Sequence, residues 1–170
     1  MESKANNSQT MMNLLQAFAG ESQANRKYLA FAKQADKEGY AQVAKLFRAA
    51  AAAETVHAHA HLRNAGQIGS TLENLKAAIA GETFEFTQMY PGMIEAAKAE
   101  GQQAAERGFR QANAVEAVHA ALYQKAMDNL NAPAEADYYV CPVCGYTAEG
   151  EAPDTCPICS AAGKSFSRVD

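Results

Sequence analysis

Residues 14–22, LLQAFAGES, return at residues 75–83 as LKAAIAGET, and the dipeptide Glu38-Gly39 returns as Glu100-Gly101. The first match has an offset of 61 residues, whereas the dipeptide and the pair His57/His119 have an offset of 62. A chain that repeats itself this way is two copies of one unit, with one residue inserted in the second. Each copy holds two long stretches of helical apolar period parted by a glycine, so each copy is expected to be a helical hairpin. The expected helices span 8–37, 40–65, 71–99 and 102–130, punctuated by Gly39, Gly66, Gly69 and Gly101, with Ser70 or Thr71 as an N-cap. Pro91 should kink the third segment. The inserted residue falls near MYPG at 89–92 and is expected as a local bulge in that helix.

A chain of 170 residues can bury one good core and carry a small appendage. Hydrophobic residues make up 48% of it and Trp is absent, which with the abundant Ala suits closely packed helices better than a β-sandwich. A net charge of −4 gives no general case for nucleic-acid or membrane-surface binding. The polar start MESKANNSQT has no apolar core of a signal peptide, and no apolar run is long enough to span a bilayer, so a cytoplasmic protein is expected. From Asn131 onward NAPAEAD loses helical period. The expected organisation is a helical domain over 1–131, a linker over 132–137 and a small domain over 138–170.

Glu54/His57 and Glu116/His119 both read Glu-x-x-His, a spacing that puts carboxylate and imidazole on one helix face. Tested against the apolar stripe of its own helix, each acid falls on the core side. Leu14, Phe18, Glu21, Asn25 and Tyr28 form one stripe, and Leu75, Ala78, Glu82, Glu85 and Met89 another. The Glu-x-x-His pairs lie on the stripes of the second and fourth helices. Such buried carboxylates would cost about several kcal/mol each unless cations neutralise them. Two ferrous ions, or two ferric ions bridged by oxide, each leave Glu21, Glu54, Glu82, Glu85 and Glu116 one charge short of neutral, so the charge would survive a change of oxidation state. Hard oxygen donors with two imidazoles suit iron or manganese. One Glu from each of two helices plus Glu-x-x-His from each of the other two is the ligand set of ferritin-like di-iron bundles, here Glu21, Glu82, Glu54/His57 and Glu116/His119. His59 points away and is expected at the surface; His61, one turn beyond His57, is expected as a satisfied or partly exposed residue. Glu85 corresponds to Ala24 in the first copy, so the stripe of the second hairpin carries an extra carboxylate without a counterpart.

Over residues 10–130, AGES, AETVH, AGETFE, MYP and VEAVH resemble rubrerythrin. The resemblance implies a ferritin-like four-helix bundle whose di-iron ligands are Glu21, Glu54, His57, Glu82, Glu85, Glu116 and His119. It implies further that one iron exchanges His57 for Glu85 on oxidation. Tyr28 and Tyr90 match tyrosines that flank the ligands in that family; the alternative is that both are core aromatics.

The cysteines Cys141, Cys144, Cys156 and Cys159 form C-x2-C-x11-C-x2-C, a strong signal for a tetrahedral four-thiolate site rather than disulfides. Gly145 allows the tight turn in which backbone N–H groups point at sulfur, and Tyr139, Tyr146 and Phe166 are available to cover a core too small to stand without metal. Spacing leaves iron and zinc open. The paired knuckles CPVCGY and CPIC resemble the short rubredoxin-like domain that follows the di-iron domain in rubrerythrins.

The function expected is a di-iron peroxidase that reduces hydrogen peroxide to water. Electrons would be relayed by the four-cysteine iron and come from NAD(P)H through a separate reductase or a rubredoxin, since no dinucleotide fingerprint is present. The competing readings are a ferroxidase or iron-handling protein, and a metal scaffold with a zinc-ribbon interaction module. A ferritin-like topology needs a crossover along the bundle between the second and third helices. Residues 65–70, AGQIGS, are too short for it unless helix ends unwind, so a homodimer with exchanged hairpins is expected, the alternative being an unswapped bundle whose flanking turns unravel to lengthen the loop.

Overall fold

The structure is a computed structural model that describes residues 8–132 and 135–170. The polar N-terminal residues before Ser8, and Pro133 and Ala134 of the expected linker, lie outside the described residues. The chain forms two compact units, Met1–Gly69 and Ser70–Asp170, a division that falls between the hairpins rather than at the expected linker.

The first unit is a hairpin of α1 (Gln9–Lys37) and α2 (Ala41–Asn64). Ser8 caps α1, its side chain accepting from the Met11 N–H. At the turn, Gly39 has φ +84°, and the N–H groups of Gly39 and Tyr40 return to the carbonyls of Asp36 and Ala35. That is a Schellman ending, which needs a left-handed residue and explains the glycine. Gly101 and Gln102 make the same two bonds to Lys98 and Ala97, so the repeated Glu-Gly dipeptide is a repeated helix stop. Ala32, Ala35, Ala44, Ala51 and Ala58 are buried, and small residues let the two backbones approach closely. The buried Asn25 uses that closeness: its Nδ2 donates to Ala51 O at 2.7 Å and to Thr55 Oγ1 at 2.8 Å.

The second unit holds α3 (Thr71–Phe84), a π-helical segment (Glu85–Met89), α4 (Tyr90–Ala99) and α5 (Gln103–Asp128), then the small domain. Ser70 is the N-cap of α3, with a full capping box to Glu73. The expected bulge is the π segment. Pro91 lies just past it in the first turn of α4, where its missing N–H is tolerated. Tyr28 and Phe47 have ring centroids 6.2 Å apart in the first hairpin, and their repeat partners Tyr90 and Phe109 also stand 6.2 Å apart in the second.

The small domain has β1 (Tyr138–Val140), β2 (Thr147–Glu149) and β3 (Ser167–Val169) in an antiparallel sheet of order β2-β1-β3, with Tyr139 opposite Ala148 and Arg168. It packs on α5: Lys125 pairs with Glu149, and Val115, 2% exposed, lies against Gly145. The architecture is thus the expected one of four ferritin-like helices followed by a four-cysteine domain. Among the described residues no helix is long and apolar enough to cross a membrane.

Candidate metal centres

Each hairpin builds the same cluster. In the first, His57 Nδ1 lies 2.9 Å from Glu54 Oε2 and 3.9 Å from Glu21 Oε1. In the second, His119 Nδ1 lies 2.8 Å from Glu116 Oε2 and 3.9 Å from Glu82 Oε1. The i, i+3 spacing brings each Glu-x-x-His pair together, and the facing helix contributes the remaining Glu. In both groups the ligand atoms lie within 4.8 Å of one another. Donors about 2.0–2.2 Å from a common ion stand about 3 Å apart at a right angle, so oxygen and nitrogen at these separations fit an iron ion at each group.

Burial departs from expectation. The Glu side chains are 16–32% exposed, and His119 27%, but His57 is 54% exposed. Each cluster is built by the facing helices of its own hairpin, and those helices leave His57 more than half exposed. His59 is exposed and His61 partly so, as read from the sequence.

Glu85 is half-buried at the start of the π segment and stands outside the Glu82, Glu116, His119 group. Its charge still acts there. Burial first, then the charges of Glu116 and Glu85, push the Glu82 carboxyl above its usual range, while His119 opposes them. Burial and the charges of Glu116, Glu85 and Glu82 likewise push the Tyr90 phenol up. Tyr90 therefore lies within the field of these carboxylates, with its ring beside Phe109. Tyr28 is half-buried against the rings of Phe31 and Phe47.

The four cysteines are brought together in the small domain, unpaired, with Cys141 Sγ 3.6 Å from Cys159 Sγ and Cys144 Sγ 3.6 Å from Cys156 Sγ. Four sulfurs about 2.3 Å from one ion stand about 3.8 Å apart in a tetrahedron, so the set fits a single metal. The two knuckles repeat each other. Gly145 N–H returns to Cys141 O at 3.0 Å and Ser160 N–H to Cys156 O at 2.9 Å, with φ of +85° and +63°. The thiols do not titrate alike: burial sends Cys144 up to about 12, whereas at Cys141 the N–H groups of Cys144 and Val143 outweigh burial and bring it down to about 7. Tyr146 and Phe166 pack edge to face beside the site.

One residue that the spacing could not flag is Thr147. Its Oγ1 lies 3.0 Å from His119 Nε2, across 28 residues of sequence, and only the docking of β2 on α5 brings them together.

Family models match in two places. The rubrerythrin model covers residues 12–127, and a model described as the rubredoxin-like domain of rubrerythrin covers residues 139–167. Nigerythrin of Nitratidesulfovibrio vulgaris is 36% identical over 179 aligned positions, covering 97% of this chain and 89% of that protein. Rubrerythrin of Porphyromonas gingivalis is 38% identical over 179 positions, covering 94% and 90%. A solved structure of nigerythrin in a partially reduced state matches with a TM-score of 0.59 and 36% identity, covering 99% of this chain and 90% of that one. Rubrerythrins are oxidoreductases of peroxidase type, with two irons in the helical domain and a four-cysteine metal site after it, and the donor groups here fit both. Matched over most of its helices and again over its cysteine knuckles, the chain belongs to the rubrerythrin family.

Proposed function

We propose that the chain is a non-haem di-iron peroxidase that reduces hydrogen peroxide to water in defence against oxidative stress. The observation that carries the reading is the duplicated Glu, Glu, His cluster on a chain that also holds four converging thiols. Hydrogen peroxide, two protons and two electrons give two waters, and a pair of ferrous ions held by these residues would supply the two electrons. Glu21, Glu54 and His57 would hold one side of the site and Glu82, Glu116 and His119 the other. Glu85 is the added carboxylate and would join the site from the second hairpin alone. The Tyr90 phenol, kept protonated by burial and by the nearby carboxylates, holds a proton beside the cluster; Tyr28 is its repeat counterpart in the first hairpin and would be the matching catalytic tyrosine. Cys141, Cys144, Cys156 and Cys159 would hold the iron that returns electrons, drawn from NAD(P)H through a separate reductase or a rubredoxin. Four unpaired cysteines suit a reducing, cytoplasmic setting.

We infer further that the working form is a homodimer in which each site joins the first hairpin of one chain to the second hairpin of its partner. The exposed His57, Val56 and Phe84 support this, as does the short connection between α2 and α3.

The deciding experiment mixes fully reduced protein with hydrogen peroxide in a stopped-flow instrument without oxygen. Rapid oxidation of both iron centres with stoichiometric loss of peroxide is expected. Rapid reaction with dioxygen and none with peroxide would overturn the reading in favour of a ferroxidase.

A further inference from the structure

The two half-sites have the same carboxylate geometry and differ behind the imidazole. His57 Nδ1 faces Glu54 and Glu21, and the ring is 54% exposed. His119 Nδ1 faces Glu116 and Glu82 in the same way, but its far nitrogen, Nε2, lies 3.0 Å from Thr147 Oγ1. Thr147 Oγ1 in turn donates to Gly145 O at 3.3 Å. A hydroxyl has one proton. With that proton directed at Gly145, Thr147 accepts from Nε2–H, which leaves the Nδ1 lone pair for the ligand side. A cavity of about 410 Å³ adjoins this bond, with walls mainly of Leu75, Leu122, Ala126 and Val169. The other hydroxyls on it belong to Tyr123 and Tyr138, and Tyr138 is turned to Glu149 at 3.4 Å.

We propose that Thr147 is a positioning residue for His119, fixing the imidazole as its Nε2–H tautomer and tying it to the turn that follows Cys144, so that the half-site of the second hairpin binds iron more tightly than that of the first. Hydrogen bonds to the far nitrogen of a metal-bound imidazole raise its basicity and hold its plane, and their loss weakens metal binding by about 10–100-fold. His57 lacks this tether among the described residues, which leaves it the freer of the two imidazoles to move. The inference rests on His119 being an iron ligand and does not need the peroxide chemistry.

The test is an anaerobic titration of ferrous iron into the full chain with its four-cysteine site already filled, followed by calorimetry. The parent protein is expected to bind two ions in two unequal steps. Thr147→Val, which keeps the shape and β-propensity and removes the hydroxyl, should weaken the tighter step about tenfold to a hundredfold and draw the two steps together. Thr147→Ser should restore the tighter step to within about threefold, a rescue that a purely structural role for the methyl group would not give. Two equal steps in the parent protein would overturn the proposal, as would unchanged steps in Thr147→Val or equal weakening by Val and Ser. A protein that binds iron as described but leaves peroxide untouched would defeat the peroxidase reading and leave the role of Thr147 standing.

Discussion

Tyr90 donates its backbone N–H to the carbonyl of Glu85, five residues back, and so closes the π turn that absorbs the extra residue of the second hairpin. The turn has a consequence for chemistry. It begins with the carboxylate of the ligand-bearing stripe that has no counterpart in the first hairpin, where Ala24 stands instead. Glu85→Ala should leave both irons bound, because Glu82, Glu116 and His119 still form their group. Peroxide turnover should fall by about tenfold or more, the scale set by losing a group that tunes a metal site. Metal content measured beside steady-state turnover checks this; a fully metallated variant with parental turnover would show the added carboxylate to be idle.

Ser160 occupies, in the second knuckle, the place that Gly145 occupies in the first, and it does so at φ +63°. A side chain in the left-handed region costs about 1–2 kcal/mol. Glycine at that position removes the strain but gains freedom in the unfolded chain, which offsets part of the benefit. Ser160→Gly should therefore stabilise the four-cysteine domain by about 0.5–1 kcal/mol. Slower loss of the thiolate–metal absorption under chelator or denaturant would register it. Gly163→Ala should do the reverse, since a Cβ there would sit 2.9 Å from the Pro153 carbonyl carbon.

At the start of α3, Ser70 accepts from the Glu73 N–H at 3.3 Å while Glu73 accepts from the Ser70 N–H at 2.7 Å. Ser70→Ala removes the cap and should cost about 1 kcal/mol, read from denaturant unfolding. The Glu73 half depends on pH. Side-chain and backbone hydrogen bonds from Ser70 hold its carboxyl below its ordinary value of 4.5. A depressed folded value means that its contribution is fully present above pH 4.5 and is lost as pH falls through the lower folded value. Glu73→Gln should thus lower stability at neutral pH and converge on the parent protein in acid.

Most of the helical frame was legible because helix ends are written locally. Glu38-Gly39 and Glu100-Gly101 announce Schellman stops, Ser70 with Glu73 announces a capping box, and the change of offset from 61 to 62 announces the π turn. The Glu-x-x-His pairs were legible for the same reason, since three residues on one helix fix their own geometry. What escaped depends on contacts between distant segments. Asn25 sits on an apolar stripe, and nothing in its spacing says that α2 approaches closely enough for Ala51 O to accept from it. Thr147 is one polar residue among several in the small domain, and its meeting with His119 follows from where β2 docks. The exposure of His57 was also hidden, because helical period tells which face is apolar and not whether that face is covered.

The connection between α2 and α3 leads to the last prediction. If the hairpins are related by a pseudo-two-fold, α2 and α3 run parallel, and the chain must return along the bundle. From His57 to Asn64, α2 descends about 10 Å at ~1.5 Å per residue, and α3 starts about 16 Å above Glu82. The connection must therefore climb about 26 Å and step sideways by about 8–10 Å. Residues 65–70 reach only about 20–22 Å when extended. An unswapped bundle would have to unwind helix ends, but both ends are secured. Gly66 and Gln67 return their N–H groups to Arg63 and Leu62 at the end of α2, and the capping box holds the start of α3. Undoing a cap costs about 1 kcal/mol at each end, and the prediction is therefore exchange between two chains. A Glu54→Ala chain mixed with a Glu116→Ala chain tests it, because exchange in the heterodimer places both lesions in one site and leaves the other whole. With random pairing half of the dimers are heterodimers, so co-refolding the two inactive variants should restore about one quarter of the parental turnover. A mixture that stays inactive, from protein that sediments as a monomer, would rule the exchange out.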